Sequence, residues 1–326
     1  MSIIEEKLDS EWNTIQNIYD KNTHTIIGII RPDFSVTRII DQYCIGVEIT
    51  RFYFHQASAR LKNNSTYLSN VLLGNIMNED KKILSVDNIQ ILGRKDEQGN
   101  AITFDGVIYT HPSIHDCLSL LANDIRKKNE KYKFVSGSFR KIELIITDEE
   151  NCFSGWSIDQ LSNSIFRNDE LNGIIQFSLF NEIFFVSHLL GGKKVLPLKR
   201  ALFLSRLFII TSYCGSKVLK QNSTNIDFIL SLFSILKRFG YLSIKGFRDK
   251  ENSCYLTYET TLIKITEAMF IGIRVIKYDA DLDELSQINF KSEAILQNEI
   301  DFEDFYQFEQ QNFANLGNFI IEILGT

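Results

Sequence analysis

Apolar positions along the chain alternate between two periods, and the changes of period mark the elements. Ile4, Leu8, Trp12, Ile15 and Tyr19 recur at steps of three and four, which predicts a helix over Ile3 to Tyr19. Thr25 to Ile30 and Tyr43 to Thr50 are short runs rich in Ile, Val and Thr and read as strands. Between them lies Arg31-Pro32-Asp33-Phe34, where Pro32 biases Arg31 toward extended geometry. Phe52 to Asn63 reads as a helix, and Ile89 to Gly93 with Ala101 to Thr110 as a hairpin across Arg94 to Asn100. Ser113 to Tyr132 is a helix with Ile114, Leu118, Leu121 and Ile125 on its buried side and Ser113 as N-cap. Lys141 to Thr147 is a strand, Ser157 to Asn168 a helix, and Glu182 to Ser187 a strand.

The mixed pattern stops near Gly191-Gly192. Helical periodicity then covers Leu198 to Leu219 and Asn225 to Phe239, followed by a hairpin from Leu242 to Tyr258 around Asp249 to Ser253. This predicts an α/β domain over 1–190, a mixed sheet flanked by helices, and a mostly helical accessory domain over 191–326 with a winged-helix-like order. No internal repeat interrupts either half.

Composition changes this picture in three places. Val195 to Tyr213 is the most apolar stretch, but Lys199, Arg200 and Arg206 interrupt it, so it reads as a buried amphipathic helix and not a membrane span. The first residues carry no basic and apolar leader pattern. The five cysteines are scattered without a CxxC pair, which argues against a zinc site or disulfide framework and for a reducing cytoplasm. The net charge of −6 hides segregation: residues 191–250 sum to +10, while 279–309 hold ten carboxylates and only Lys291. One reading has the basic segment contact phosphates, with Lys237, Arg238, Lys245 and Arg248 interleaved with Phe239, Tyr241 and Phe247 as a wing or stacking surface. The other docks it on the acidic segment, within the chain or across a dimer.

Two carboxylates stand out. In Cys44-Ile45-Gly46-Val47-Glu48-Ile49-Thr50, strand alternation puts Gly46, Glu48 and Thr50 on one face and Val47 and Ile49 on the other. A cleft-facing carboxylate in such a strand is costly unless paired or metal-bound. Asp33 and Glu48 on neighbouring strands would make an oxygen-rich site for Mg²⁺ or Mn²⁺. Read singly, Asp33 is turn chemistry after Pro32 and Glu48 a solvent-facing edge residue. Lys127, Lys128, Lys131 and Lys133 read singly as the solvated end of a helix, where cations are favoured by the dipole.

Pro32-Asp33, a spacer and Glu48-Ile49-Thr50 together resemble the PD-(D/E)xK nuclease-like superfamily, and within it bacterial members with an extended "PDF…GVEIT" signature. The Lys-rich stretch Asp124 to Lys133, the apolar run Ile142 to Ile146 and the segment Phe180 to Val186 extend the resemblance over roughly residues 1–190. It implies a restriction-endonuclease-like sheet in the order α-β-β-β-α-β, with Asp33 and Glu48 as metal ligands. It also implies a first-helix carboxylate, for which Glu11 is the choice and Glu5 and Glu6 stand close behind. Thr50 occupies the place where the family carries its lysine. A lysine relocated to a later helix would be Lys128 or Lys131, which share a helical face.

The expected activity is therefore a divalent-metal-dependent DNA endonuclease in which metal-activated water attacks the phosphodiester, in a setting of restriction or anti-phage defence. The alternative is a binding or assembly subunit of a larger defence complex with a weakened site, which the loss of lysine at position 50 favours. An RNA-directed nuclease or toxin is a third reading, and a homodimer is compatible with each. His111, His115 and Cys117 do not share a helical face, and neither a GxxxxGK[ST] loop nor a Ser-His-Asp context is present.

Overall fold

A computed structural model of the chain describes residues 11–29, 32–53, 56–81, 84, 89–95, 101–109, 113–132, 139, 141–213, 225–265, 270–276, 282–288, 303, 305, 307 and 308. Glu5, Glu6, His111 and Lys133 lie outside them. The architecture is mixed α/β. A short helix α1 (residues 11–16) leads into β1 (His24–Gly28), β2 (Phe34–Arg38) and β3 (Cys44–Phe52). Next come α2 (Gln56–Asn63), α3 (Ser65–Leu72), the hairpin β4 (Ile89–Lys95) and β5 (Ala101–Tyr109), α4 (Ile114–Tyr132) and β6 (Ile142–Asp148). Helices α5 (Ile158–Phe166) and α6 (Asp169–Gln176) precede β7 (Glu182–Leu189) and β8 (Gly192–Pro197).

Six strands form one sheet in the order β1-β2-β3-β6-β7-β8, with β3-β6 and β6-β7 parallel and the other pairs antiparallel. Each parallel pair needs a crossover, which α2 to α4 provide for the first and α5 with α6 for the second. Pleating separates two cores. Ile45, Val47, Ile49, Ile145, Phe184 and Val186 face Ile15 and Tyr19 on one side. Phe52, Leu144, Ile146, Ile183 and Phe185 face α4 and the elements that follow it on the other. Helix α4 is fixed by Leu121 and Ile125, both with 0% exposure, and each such burial contributes about 1.5–3 kcal/mol. At its start Ser113 and Asp116 cap each other: Asp116 N donates to Ser113 Oγ and Ser113 N to the Asp116 carboxylate.

The expected boundary near Gly191-Gly192 falls in the β7–β8 turn, so the six-stranded sheet continues past residue 190. Both glycines have positive φ, which this tight turn requires. Val195 and Pro197, the start of the most apolar stretch, belong to β8, and the helix expected from Leu198 begins there as α7 (Leu198–Tyr213). It is less amphipathic than its sequence suggests: twelve of its sixteen residues are buried, Lys199 among them. Among the described residues the second half is also not mostly helical. After α8 (Asn225–Arg238) come β9 (Lys245–Arg248), β10 (Cys254–Tyr258), β11 (Thr261–Ile265), β12 (Phe270–Val275) and β13 (Ser286–Ile288), forming a sheet in the order β12-β11-β10-β9-β13. The expected hairpin is its β9–β10 pair. One continuous buried cluster runs from α4 through α7 and α8 to Leu256 and Ile263 of this sheet. The predicted helix 157–168 is α5, capped by Ser157, and Asn168 at its far end accepts from Leu171 N as the N-cap of a further helix, α6, that periodicity did not mark.

Candidate functional site

Glu48 sits in the middle of the nine-residue β3, on the face that α4 covers. Its row across the sheet continues into Leu144 and Ile183, both fully buried, so one side of the carboxylate is apolar wall. The other side is α4. Lys128 Nζ donates to Glu48 Oε1 at 2.5 Å and Tyr132 Oη donates to Oε2 at 2.8 Å. Lys128 and Tyr132 are four residues apart and therefore share a helical face. Tyr132 is itself held edge-on by Phe180, with ring centroids 5.0 Å apart. The Lys128 and Glu48 side chains retain 16% and 14% exposure, so the pair lies in a crevice that solvent reaches.

Asp33 closes the other edge. The antiparallel register pairs Phe34 with Val47 and ends there, with Asp33 the next residue along the chain. Beyond Phe34 the ladder with β3 stops, and the Asp33 carboxylate takes over: Oδ2 accepts the backbone N–H of Ile49 at 2.8 Å. Asp33 is thus locked beside the backbone of the residue that follows Glu48. What aims it there is Gly46. A Cβ at that position would stand 2.6 Å from Pro32 Cγ and 3.2 Å from the Phe139 ring, so Pro32 packs directly on the β3 backbone. The signal for this was in the sequence as Pro32 and Gly46 in the same motif, but their contact is a tertiary fact.

Of the lysines weighed from the sequence, Lys128 reaches Glu48, whereas Lys131 is exposed and has no contact with it among the described residues. Lys127 is exposed and pairs only with Asp124, at 3.7 Å. Thr50 follows on the same face as Glu48, and its backbone carbonyl accepts from Thr147 Oγ1 at 3.4 Å. Glu11 pairs with Arg51 at 3.7 Å. Alternation puts Arg51 on the opposite face of β3 from Glu48, alongside the core that packs on α1, so Glu11 is directed away from the crevice. Tyr132 was missed by reading the sequence, although its i+4 spacing from Lys128 was visible there. Among the described residues no group of three or more His, Cys, Asp or Glu could by itself hold a metal ion. Mg²⁺ binds through one or two carboxylates with water and substrate oxygens completing its shell, and Asp33 with Glu48 fits that donor chemistry.

The basic segment is not a single surface. Tyr241 and Phe247 are buried, and Phe239 packs on Phe305 at 5.0 Å, so these aromatics build the core and are not offered for stacking. Lys237 Nζ donates to the Leu242 carbonyl at 2.6 Å and lies over the Phe233 ring. Arg238 and Lys245 are exposed, but Lys245 and Arg248 alternate onto opposite faces of β9. His115 is exposed and Cys117 buried on α4. No described helix is long and apolar enough to cross a membrane.

A second charge cluster, built on the buried Glu182 and Lys199, joins the two sheets. Glu182 Oε1 accepts the backbone N–H groups of Ile183 and Lys199 at 3.0 and 2.9 Å, and Oε2 accepts Thr260 Oγ1 at 3.2 Å. Lys199 Nζ donates to the carbonyls of Ser178 and Phe180 at 3.0 and 2.6 Å, with Glu259 at 4.0 Å. Burial raises the Glu182 pKa above the ordinary carboxylate range and lowers that of Lys199 below the ordinary lysine value. No family model, curated protein or solved structure matches the chain.

Proposed function

We propose that the chain is a divalent-metal-dependent nuclease of the PD-(D/E)xK type, with Asp33 and Glu48 as the metal-holding carboxylates. The observation that carries this reading is the arrival of Lys128 at Glu48, next to the Ile49 N–H that holds Asp33. The residue that the signature lacks at Thr50 is supplied by α4, in the same crevice. With α2, α3 and the β4–β5 hairpin inserted between β3 and α4, the succession α1, β1-β2-β3, α4, β6 supports the order that the resemblance implies.

A bound ion supplies Lewis acidity toward a phosphate and lowers the pKa of water. The chain's own residues do the rest. Ile49 N–H and the Pro32–Gly46 contact hold Asp33 in place, which is positioning done before substrate arrives. Lys128 places a positive charge where negative charge builds on the phosphate, and Tyr132 orients Glu48 by its second oxygen. DNA is the first substrate class, with RNA as the other, and defence against foreign DNA is the setting the resemblance suggests.

The same contacts favour a second reading. Both Glu48 oxygens already have donors, and no third acidic ligand stands nearby among the described residues. A site closed in this way suits a nucleic-acid-binding or assembly subunit that does not cut.

The test is incubation of the full chain with plasmid DNA and with RNA in Mg²⁺ or Mn²⁺, beside Asp33→Ala and Glu48→Ala. The expected result is metal-dependent cutting lost in both variants. Cutting that survives both would remove the site assignment, and absence of cutting by the wild-type chain would shift the reading to the binding subunit.

A further inference from the structure

The five-stranded sheet carries a cavity of about 650 Å³ on its outer face. Register places its lining. Tyr255, Lys264 and Gly272 form one cross-strand row, and Leu262 with Arg274 belongs to the next row on the same face. The opposite face sends Leu256 and Ile263 into the core, so this face is held rigidly from behind. Gly272 leaves a notch: a Cβ there would touch only Lys264, at 3.7 Å. Lys264 and Arg274 are diagonal neighbours across that notch, and neither has a carboxylate partner among the described residues. Lys264 Nζ lies 5.7 Å from the Tyr255 ring centroid, and Arg274 is exposed.

Three acids line the cavity, Asp249, Glu284 and Glu251, the last exposed on the same turn as the exposed Lys250, and they are not equivalent. Asp249 is spent inside its own turn, accepting from Tyr255 Oη at 2.7 Å and from the backbone N–H groups of Ser253 and Glu251 at 2.8 and 2.9 Å. It fixes Tyr255 and does not neutralise Lys264. Glu284, from the turn over residues 282–285, supplies a carboxylate to the cavity wall.

We propose that this cavity binds a nucleoside monophosphate, with the phosphate on Lys264 and Arg274 and the ring over the Gly272 notch beside Leu262 and Tyr255. Two cations at diagonal positions beside a bare backbone suit a phosphate, and Arg takes it by paired N–H donors. The cavity is far larger than a lone phosphate and falls in the range of small-molecule sites. Leu262 and Tyr255 give the apolar surface that a base needs, and Glu284 accepts from ribose hydroxyls. The same carboxylate repels further phosphates, which selects a monophosphate over a triphosphate. None of these residues belongs to the Asp33–Glu48 crevice, so either assignment can fail alone.

Isothermal titration of the full chain with the four ribonucleoside monophosphates tests this, beside adenosine, a nucleoside triphosphate, inorganic phosphate and a 5′-phosphorylated dinucleotide. At least one monophosphate should bind about tenfold or more tightly than adenosine, the triphosphate or phosphate. Arg274→Leu and Lys264→Leu should each weaken it by about tenfold, and Gly272→Val should do so without removing charge. Unfolding temperatures near that of the wild type establish that these surface variants fold. A dinucleotide that binds as tightly marks a strand end as the source of the ligand, and one that does not marks a free nucleotide. Failure of every monophosphate to bind at millimolar concentration overturns the proposal. So does inorganic phosphate binding equally well, or wild-type affinity in both charge variants.

Discussion

Glu48 and Glu182 are both strand glutamates of the same sheet, and each has a lysine close by. Their surroundings make them different objects. Glu182 is fully buried, its oxygens are filled by two backbone N–H groups and Thr260, and Lys199 spends its ammonium on the carbonyls of Ser178 and Phe180. Glu182 and Lys199 are closed off from solvent, and the cluster joins α7 and the second sheet to β7. Glu48 and Lys128 face each other directly with 14% and 16% of their side chains exposed, and Asp33 is held on the neighbouring Ile49 N–H. A carboxylate and a lysine alone therefore do not mark a site. What separates the two pairs is that Glu48 and Lys128 bond each other directly and are both partly open to solvent.

Exchange of the two lysines breaks this comparison most sharply. Lys128→Met should reduce metal-dependent cleavage by about 100-fold or more, as loss of a charge stabiliser does, while leaving the unfolding midpoint close to wild type. Lys199→Met should do the reverse. Loss of one member of a buried charge cluster costs about 3–5 kcal/mol, visible as a lower denaturant midpoint, with cleavage per folded molecule unchanged. Equal effects of both substitutions on stability would erase the distinction.

A smaller effect is expected at Gly46. Gly46→Ala places a methyl against Pro32 and should cost about 1–3 kcal/mol by overpacking. Because Pro32 carries Asp33, the same substitution should weaken metal binding more than it lowers stability, as titration beside chemical denaturation would reveal.

The smallest effect is a pH dependence at the Glu182–Lys199 cluster. Burial raises the Glu182 pKa above the ordinary 4.5, so the folded chain holds that proton more tightly than the unfolded one. The folded state then carries more protons above pH 4.5, and the stability tied to this group is lost as pH rises from there. Lys199 acts at the alkaline end: its pKa is lowered from 10.5, so its contribution is lost as pH falls through that value. Glu182→Gln should therefore lose less stability than wild type as pH rises above 4.5. Parallel slopes for the two proteins would contradict the buried assignment.

Much of the first sheet was legible because its strands are short β-branched runs set off by turn residues, and β3, α4, β6 and β7 lie where periodicity puts them. The pair Asp33 and Glu48 was legible because carboxylates in apolar strands are conspicuous. What was not legible depends on contacts distant in sequence. The reach of Lys128 to Glu48 spans 80 residues. Helix α7 reads as amphipathic because Lys199 and Arg200 are charged, yet the Ser178 and Phe180 carbonyls admit Lys199 to the interior. Phe239, Tyr241 and Phe247 interleave with cations in the sequence exactly as a stacking surface would, but the second sheet needs them for its core. Glu11 lies on the first helix as expected, and Arg51 draws it to the other face of β3.

The central claim is that Asp33 and Glu48 share one divalent ion beside Lys128. Titration of the full chain with Mn²⁺, followed by electron paramagnetic resonance of the free ion, tests it without reference to any substrate. The account predicts one Mn²⁺ per chain, lost in Asp33→Asn and in Glu48→Gln and retained in Glu182→Gln. Stoichiometric binding that persists in both Asp33→Asn and Glu48→Gln, or no binding by the wild-type chain, would contradict it.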